Sequence, residues 1–453
     1  MIKTVKWKDH QSLGNLELNF CKDDGTPYNT IILAGENGTG KTTVLETLSE
    51  FLTLGSIKNF EYIRYIANGE NYLAKPLDGY EGTGYHVRIK ESTGEKTEVL
   101  YYRAADENKI KNDLLDIRHG GCVYSKARSG FHINSVDSVK TSLIDNNKYE
   151  NDAADNFTSI IQLLVDIKSQ DNEDWANECK NGTKKDYNKD FFPNSRMFRF
   201  ENAFNNFFSG SMKFKNIATS SNKKDIIFEK HGKDISINNL STGEKQIVFR
   251  GAHLLKNSKA IEGGFVLIDE PELSMHPKWQ EKILQYYRNL FTENGKQKVQ
   301  MIFATHSEYV LKEALNHKDD VLILALKDDN GTITASPMKL PLALPTITSA
   351  EINYRIFDIA SIDYHIQLYG YLQAKEKKGR PSECDTFIEG TREYKSNMSK
   401  YSVAVLGLKV PPDRNDKTLP AYIRNAIDHP DAGRVYSEKQ FRDSIELLIK
   451  LCK

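Results

Sequence analysis

Residues Gly35-Glu36-Asn37-Gly38-Thr39-Gly40-Lys41-Thr42 set three glycines, a lysine and a hydroxyl in the spacing GxxxxGK[ST]. An apolar stretch, TIILA at 30–34, precedes them. A helical pattern of Val44, Leu45, Leu48, Phe51 and Leu52 follows. In that setting the glycines let the backbone curl so that its N–H groups face phosphate oxygens. The helix behind adds partial positive charge at its N-terminus. Lys41 is then placed for the β and γ phosphates and the Thr42 hydroxyl for Mg2+, with Thr43 next to it. The competing reading, a chance glycine turn, is disfavoured by the flanking strand and helix. A second glycine cluster, 79–84, precedes a strand instead and reads as a turn without a ligand.

Three more clusters follow in order. Ser241-Thr242-Gly243-Glu244 opens an apolar helix. Phe265-Val266-Leu267-Ile268-Asp269-Glu270 runs four apolar residues into two acids, with Glu272-Leu273-Ser274-Met275-His276-Pro277 after it. Ala304-Thr305-His306-Ser307 ends a further apolar strand. This set resembles the head of an ABC-type ATPase, in the branch that holds SMC-like, RecF-like and OLD-type ATPases (AAA15/AAA21). The resemblance covers 1 to about 330, less an insertion. It implies ATP and Mg2+ as ligands and a role for each cluster. Asp269 is expected to close a buried parallel strand beside the phosphate loop and hold Mg2+ through water. Glu270 is expected to polarise the attacking water, and His306 to donate to the γ phosphate. Ser241, Thr242, Gly243 and Glu244 are expected to form a second anion site that caps the nucleotide of a partner chain, so that ATP joins two heads head-to-tail. The pentapeptide STGEK occurs twice. At 92–96 it lies between alternating strands and reads as a hairpin turn, and only at 241–245 does it open a helix. The position of the family's Mg2+-contacting Gln stays unassigned. Ser125, Lys126, Ala127 and Arg128 follow Val123-Tyr124, and Arg128 is left as a structural ion pair or a phosphate contact.

The elements around these clusters define the expected fold. Apolar strands at 30–34, 265–268, 300–304 and 321–326 alternate with helices, which implies an α/β head with a mostly parallel sheet covered on both faces. Hairpins at 2–20 and 85–102 add an antiparallel β subdomain. The expected domains are 1–130, the first half of the head; 131–225, a helical insertion or lid with Phe157, Ile160, Ile161, Leu164 and Val165 on one face; 226–345, the second half; and 346–453, a helical C-terminal region with long helices at 351–372 and 422–451. LPLALP at 340–345 reads as the linker.

Composition narrows the function classes. The 453 residues balance 62 Lys and Arg against 62 Asp and Glu, which excludes a polycation. No apolar run is long enough to span a membrane, and the five scattered cysteines exclude a disulfide scaffold, so a cytoplasmic protein is expected. The C-terminal region carries Arg424, Asn425 and His429, similar to the R-polar-xxx-H motif of HEPN ribonucleases. The alternative is a structural role, with Arg424 paired to an acid and His429 capping a helix. From 371 onward 16 Lys and Arg face 12 Asp and Glu, compatible with a nucleic-acid partner, DNA or RNA. No HNH or TOPRIM pattern is visible. The arrangement resembles the ATPases of anti-phage systems that act with an HNH-nuclease partner protein. Two other functions stay open, a self-contained ATP-gated HEPN RNase and a RecF-like DNA-repair ATPase.

Overall fold

The computed structural model describes residues 1–127, 138–139, 144–145, 147–151, 158–182, 186–220, 223–317, 319–338, 342–412, 415–430 and 433–453. Arg128 and Phe157 lie outside them. The chain divides into two compact units, Met1–Pro337 and Met338–Lys453.

The first unit is built on a seven-stranded sheet. Its order is Thr332–Pro337, Val321–Asp329, Thr30–Ala34, Gln300–Thr305, Phe265–Asp269, Cys122–Ser125, Tyr149–Asn151. All neighbours are parallel except the edge hairpin Val321–Asp329/Thr332–Pro337. The four central strands are buried along their whole length, which is why they read as unbroken apolar runs. Parallel register then sets their ends level. Ala34 pairs with Thr305, Ala304 with Asp269, and Ile268 with Ser125. Gly35, His306 and Glu270 therefore leave the sheet together at its carboxyl edge, where open α/β sheets bind ligands. Gln300–Thr305 lies between the strand of Asp269 and the strand that leads into the phosphate loop.

A six-stranded antiparallel sheet, order Glu17–Asn19, Ile2–Trp7, Phe60–Ala67, Glu70–Pro76, His86–Lys90, Lys96–Val99, shares one core with the parallel sheet. Between them runs the helix Lys41–Leu52, whose buried residues include Val44, Leu45, Leu48, Phe51 and Leu52. Trp7 Nε1 donates to Thr47 Oγ1 of this helix at 3.0 Å. Gln300 stitches the two sheets. Its amide donates to the Ile2 and Tyr28 carbonyls and its oxygen accepts from Ile2 N–H at 2.7 Å. The first STGEK is indeed a hairpin turn between His86–Lys90 and Lys96–Val99. The region 131–225 holds the 23-residue helix Thr158–Lys180 and the helix Phe198–Phe208. Its last strand, Met212–Ser220, joins Lys223–Lys230 and Lys233–Ser236 in a separate three-stranded sheet.

The second unit is helical around a core of Tyr364, Leu368, Leu372, Ile445 and Leu448. The expected long helices are each broken in two. Asp358, at φ 50°, ends Ser349–Phe357, and Ser361 caps Ile362–Lys375. Leu419–Asp428 is likewise separate from Glu438–Cys452. The linker residues Leu342 and Ala343 donate their amides to the fully buried Glu351 carboxylate, so this stretch is part of the second unit.

Two ion pairs of the first unit allow a direct comparison. Arg118 and Asp116 are joined at 2.7 Å with both side chains fully buried, the guanidinium lying over the Phe51 ring. Arg64 and Glu91 are joined at the same distance but exposed. Asp116→Ala leaves a buried guanidinium without its carboxylate and should cost the first unit about 3–5 kcal/mol in urea unfolding. Glu91→Ala should cost less than about 1 kcal/mol. Equal costs would show that burial does not set the worth of these pairs.

Candidate functional site

The phosphate loop closes on itself through Lys41. The ammonium is almost fully buried and donates to the carbonyls of Gly35 at 2.9 Å and Glu36 at 2.7 Å. Burial pulls its pKa down to about 8, against the pull of Asp269, Glu270, Glu272 and Glu36. Two loop glycines are required by geometry. A Cβ on Gly35 would stand 2.3 Å from the Leu326 carbonyl oxygen. One on Gly40, at φ 83°, would stand 2.4 Å from Leu13 Cδ2. Glu36, Asn37 and Gly38 form the exposed rim of the loop, while Thr39 is buried with its hydroxyl on the Glu36 carbonyl. Thr42 and Thr43 open the helix.

Across the site Thr42 Oγ1 donates to Asp269, 3.0 Å from Oδ2 and 3.3 Å from Oδ1. The two residues are 227 positions apart in sequence, yet they put a hydroxyl and a carboxylate on one point. Such an all-oxygen set suits a hard divalent cation like Mg2+. Asp269 is buried, and burial first, then the charge of Glu270, pushes its pKa up to about 6. Glu270 follows with φ 44°, a conformation strained for a residue with a side chain. Its Oε1 lies 3.6 Å from His306 Nε2. His306 Nδ1 is 3.1 Å from the Gly35 carbonyl, which can only accept, so the neutral ring carries its proton on Nδ1. Burial and then Lys41 lower the imidazole's pKa. His306 thus bridges the phosphate loop and Glu270, and its Nε2 becomes a donor only when a second proton binds.

Glu272, named in the sequence without a role, is buried. Its Oε1 accepts from the Thr305 hydroxyl at 2.7 Å and the His306 amide at 2.9 Å, which fixes the turn that carries His306. Its one sequence signal is its place three residues after Asp269.

Ser241 caps the helix Thr242–Lys256 in a reciprocal box with Glu244. The Ser241 amide and hydroxyl both donate to Glu244 Oε2, and Lys230 holds Oε1 at 2.6 Å. Glu244 is therefore internal to the turn, while Ser241 and Thr242 are exposed. Gly243 packs on its own chain, and a Cβ there would stand 2.9 Å from the Ser274 carbonyl oxygen. The structure does not bring this turn to the chain's own Lys41 through any hydrogen bond or ion pair among the described residues.

Ser125 of the Cys122–Ser125 strand, where the family's Gln was sought, is buried and bonded to Arg250. In the second unit Arg424 bonds Asn425 at 2.8 Å and pairs with Asp428 at 2.6 Å, and His429 is the exposed C-cap of Leu419–Asp428. No hydrogen bond or ion pair among the described residues joins Arg424 to His429.

The raised pKa of Asp269 has a definite sign. Its unfolded value is about 3.9 and its folded value about 6. Its contribution is therefore present in full below about pH 4 and is lost as pH rises through about 6. At pH 7.5, without nucleotide or metal, Asp269→Asn should raise the stability of the first unit by about 2 to 3 kcal/mol, and at pH 4 by much less. Denaturant midpoints at the two pH values measure this, and a gain equal at both would remove Asp269 ionisation as its source.

Residues 128–312 match the family model AAA_21, described as "AAA domain, putative AbiEii toxin, Type IV TA system". "Retron Vc95 probable ATPase" of Vibrio cholerae serotype O1 biovar El Tor is 25% identical over 378 residues, 68% of this chain and 71% of its own length. "Septu protein PtuA" of Bacillus thuringiensis is 23% identical over 357 residues, 73% of this chain and 77% of its own. Among solved structures, the SMC head domain from Thermotoga maritima aligns with 75% of this chain and 99% of its own at 17% identity. Its TM-score is 0.35, too low to carry an argument. With the site described above, these matches support ATPase activity: residues 128–312 are similar to the AAA_21 domain, and the chain is similar to the retron Vc95 ATPase and to PtuA.

Proposed function

We propose that this ATPase serves bacterial anti-phage defence, binding and hydrolysing ATP in response to a trigger and so controlling a nuclease supplied by an HNH-type partner protein. The defence reading is supported by the likeness to Septu PtuA and to the retron ATPase. The chemistry rests on one observation, the meeting of Lys41, the Thr42–Asp269 pair, and Glu270 with His306 at the level edge of the parallel sheet. In this reading the loop from Gly35 to Thr43 takes the phosphates, and Lys41 exchanges its carbonyl partners for phosphate oxygens. Thr42 and Asp269 would hold Mg2+, which when bound neutralises charge on the phosphate oxygens. Glu270 orients the attacking water and accepts its proton, and His306, once its Nε2 also carries a proton, steadies the Glu270 carboxylate and senses the phosphate. Ser241, Thr242 and Gly243 face the nucleotide of a second copy, so that the functional unit is a head-to-tail homodimer or larger oligomer. DNA or RNA is the target of the assembled system. The ribonuclease alternative finds less support, since Arg424 is already engaged by Asp428.

Glu270→Gln should retain ATP binding and lose at least about 100-fold in kcat, because a positioned base contributes on that order. It should also trap an ATP-bound dimer, visible by light scattering. Wild-type turnover would take Glu270 out of the mechanism. The composite site is tested by mixing two inactive variants. Lys41→Ala removes a phosphate contact within one chain. Thr242→Arg blocks the partner's nucleotide from an exposed position, whereas a Gly243 variant would also strike its own Ser274. Random pairing should restore about a quarter of the wild-type sites. Mixed dimers without any ATPase recovery would contradict site sharing.

A further inference from the structure

Arg250 stands in the middle of the helix Thr242–Lys256, among Ile247, Val248, Phe249, Gly251 and Ala252. It is 2% exposed. A guanidinium taken so far from water needs a carboxylate or a full set of hydrogen bonds. Arg250 makes no ion pair among the described residues and takes the second solution. Its Nε donates to Ser125 Oγ at 3.0 Å. Its Nη2 donates to the Ser125 carbonyl at 3.2 Å and the Asp269 carbonyl at 2.6 Å. Its Nη1 donates to the Glu270 carbonyl at 2.8 Å. One planar fork thus gathers carbonyls at the ends of two neighbouring parallel strands and the first carbonyl beyond them, a geometry a lysine cannot reproduce.

The carbonyl of Glu270 matters most. With φ at 44°, that residue keeps its conformation only where the surroundings fix it. Its N–H is tied to the Ala304 carbonyl at 2.9 Å. Its C=O is tied to Arg250 and, at 3.2 Å, to the Leu273 amide. Of these tethers, Arg250 alone comes from the helix that Ser241 and Glu244 cap.

We propose that Arg250 is a positioning residue for hydrolysis. It fixes the backbone that aims the Glu270 carboxylate, and it carries the placement of the Ser241–Glu244 turn along one helix to that carboxylate. The proposal rests on the reading of Glu270 as the group that orients water. It gives the helix Thr242–Lys256 a direct mechanical connection to the reacting side of the same chain.

The test compares full-length Arg250→Met, Arg250→Lys, Glu270→Gln and the Arg250→Met/Glu270→Gln double variant in ATPase assays, with single-turnover measurement of the slow ones. Arg250→Met should keep KM for ATP within about threefold of wild type and lower kcat about 100-fold. Arg250→Lys should regain only about tenfold of that and stay below wild type. In the Glu270→Gln background, Arg250→Met should cause no further loss beyond about twofold, because both substitutions remove the same contribution. A wild-type kcat in folded Arg250→Met would overturn the proposal. So would a loss confined to KM, or losses that multiply fully in the double variant. Wild-type turnover in Glu270→Gln alone would overturn the underlying reading and the role of Arg250 with it. If Arg250→Met fails to fold, Arg250→Lys decides. A lowered kcat at unchanged melting temperature and KM supports the proposal, and an unchanged kcat overturns it.

Discussion

Lys41 and Asp269 are buried by the same loop and strand that bring them together, and burial resists the charge of each. Lys41 is drawn down to about 8 and Asp269 pushed up to about 6. Everything around them is arranged to tolerate that conflict. The carbonyls of Gly35 and Glu36 receive the ammonium, the Thr42 hydroxyl donates to the carboxylate, and the level strand ends hold these groups within a few ångströms. Lys41 faces Asp269, Glu270 and Glu272 in this small volume, with Arg250 reaching the same strand end from the helix Thr242–Lys256. A ligand that brings phosphate to Lys41 and a divalent ion to Asp269 relieves both penalties at once. The site is thus electrostatically incomplete by construction, and such a ligand would gain affinity by completing it.

The residues of the candidate site were legible in the sequence because its proposed chemistry needs contiguous residues. The loop from Gly35 to Thr42 and the Asp269-Glu270 pair must be continuous to curl around a phosphate or to end a strand. Strand order was not legible. Thr30–Ala34, Phe265–Asp269 and Gln300–Thr305 are all buried on both faces, so nothing in their side chains says which stands beside which. The hairpin Phe60–Ala67/Glu70–Pro76 did leave a signal. Asn68-Gly69, with φ of 47° and 78°, is the turn such a pair requires. The break between Ser349–Phe357 and Ile362–Lys375 rests on single short polar residues, Asp358 and Ser361, inside a continuing apolar stripe. Arg250 left the faintest trace, since backbone carbonyls have no letter in a sequence. Only an arginine set in an apolar run marked the place.

The Ser241–Glu244 turn shows the same economy. Its anion is internal, supplied by Glu244 and held by Lys230, so the turn keeps its shape without a ligand. Gly243 seats it on Ser274, in the segment that follows Asp269 and Glu270. What a second copy would meet is therefore a preformed surface and not a loop that must order on contact. Preformation lowers the entropic cost of association.

Sheet order also has a consequence for how the chain is made. The strand Thr30–Ala34 is flanked by Gln300–Thr305 on one side and Val321–Asp329 on the other. Both flanks leave the ribosome about 270 or more residues after it. At roughly 5–20 residues per second, that is a wait on the order of 15 to 50 seconds. In that interval the antiparallel strands from Phe60 to Val99 can pair locally, whereas the phosphate loop has no walls and cannot hold a nucleotide. The nascent chain passes this time with an apolar strand unpaired on both edges. Such an edge is an aggregation hazard, and it places the slow, long-range closure of the parallel sheet last in folding.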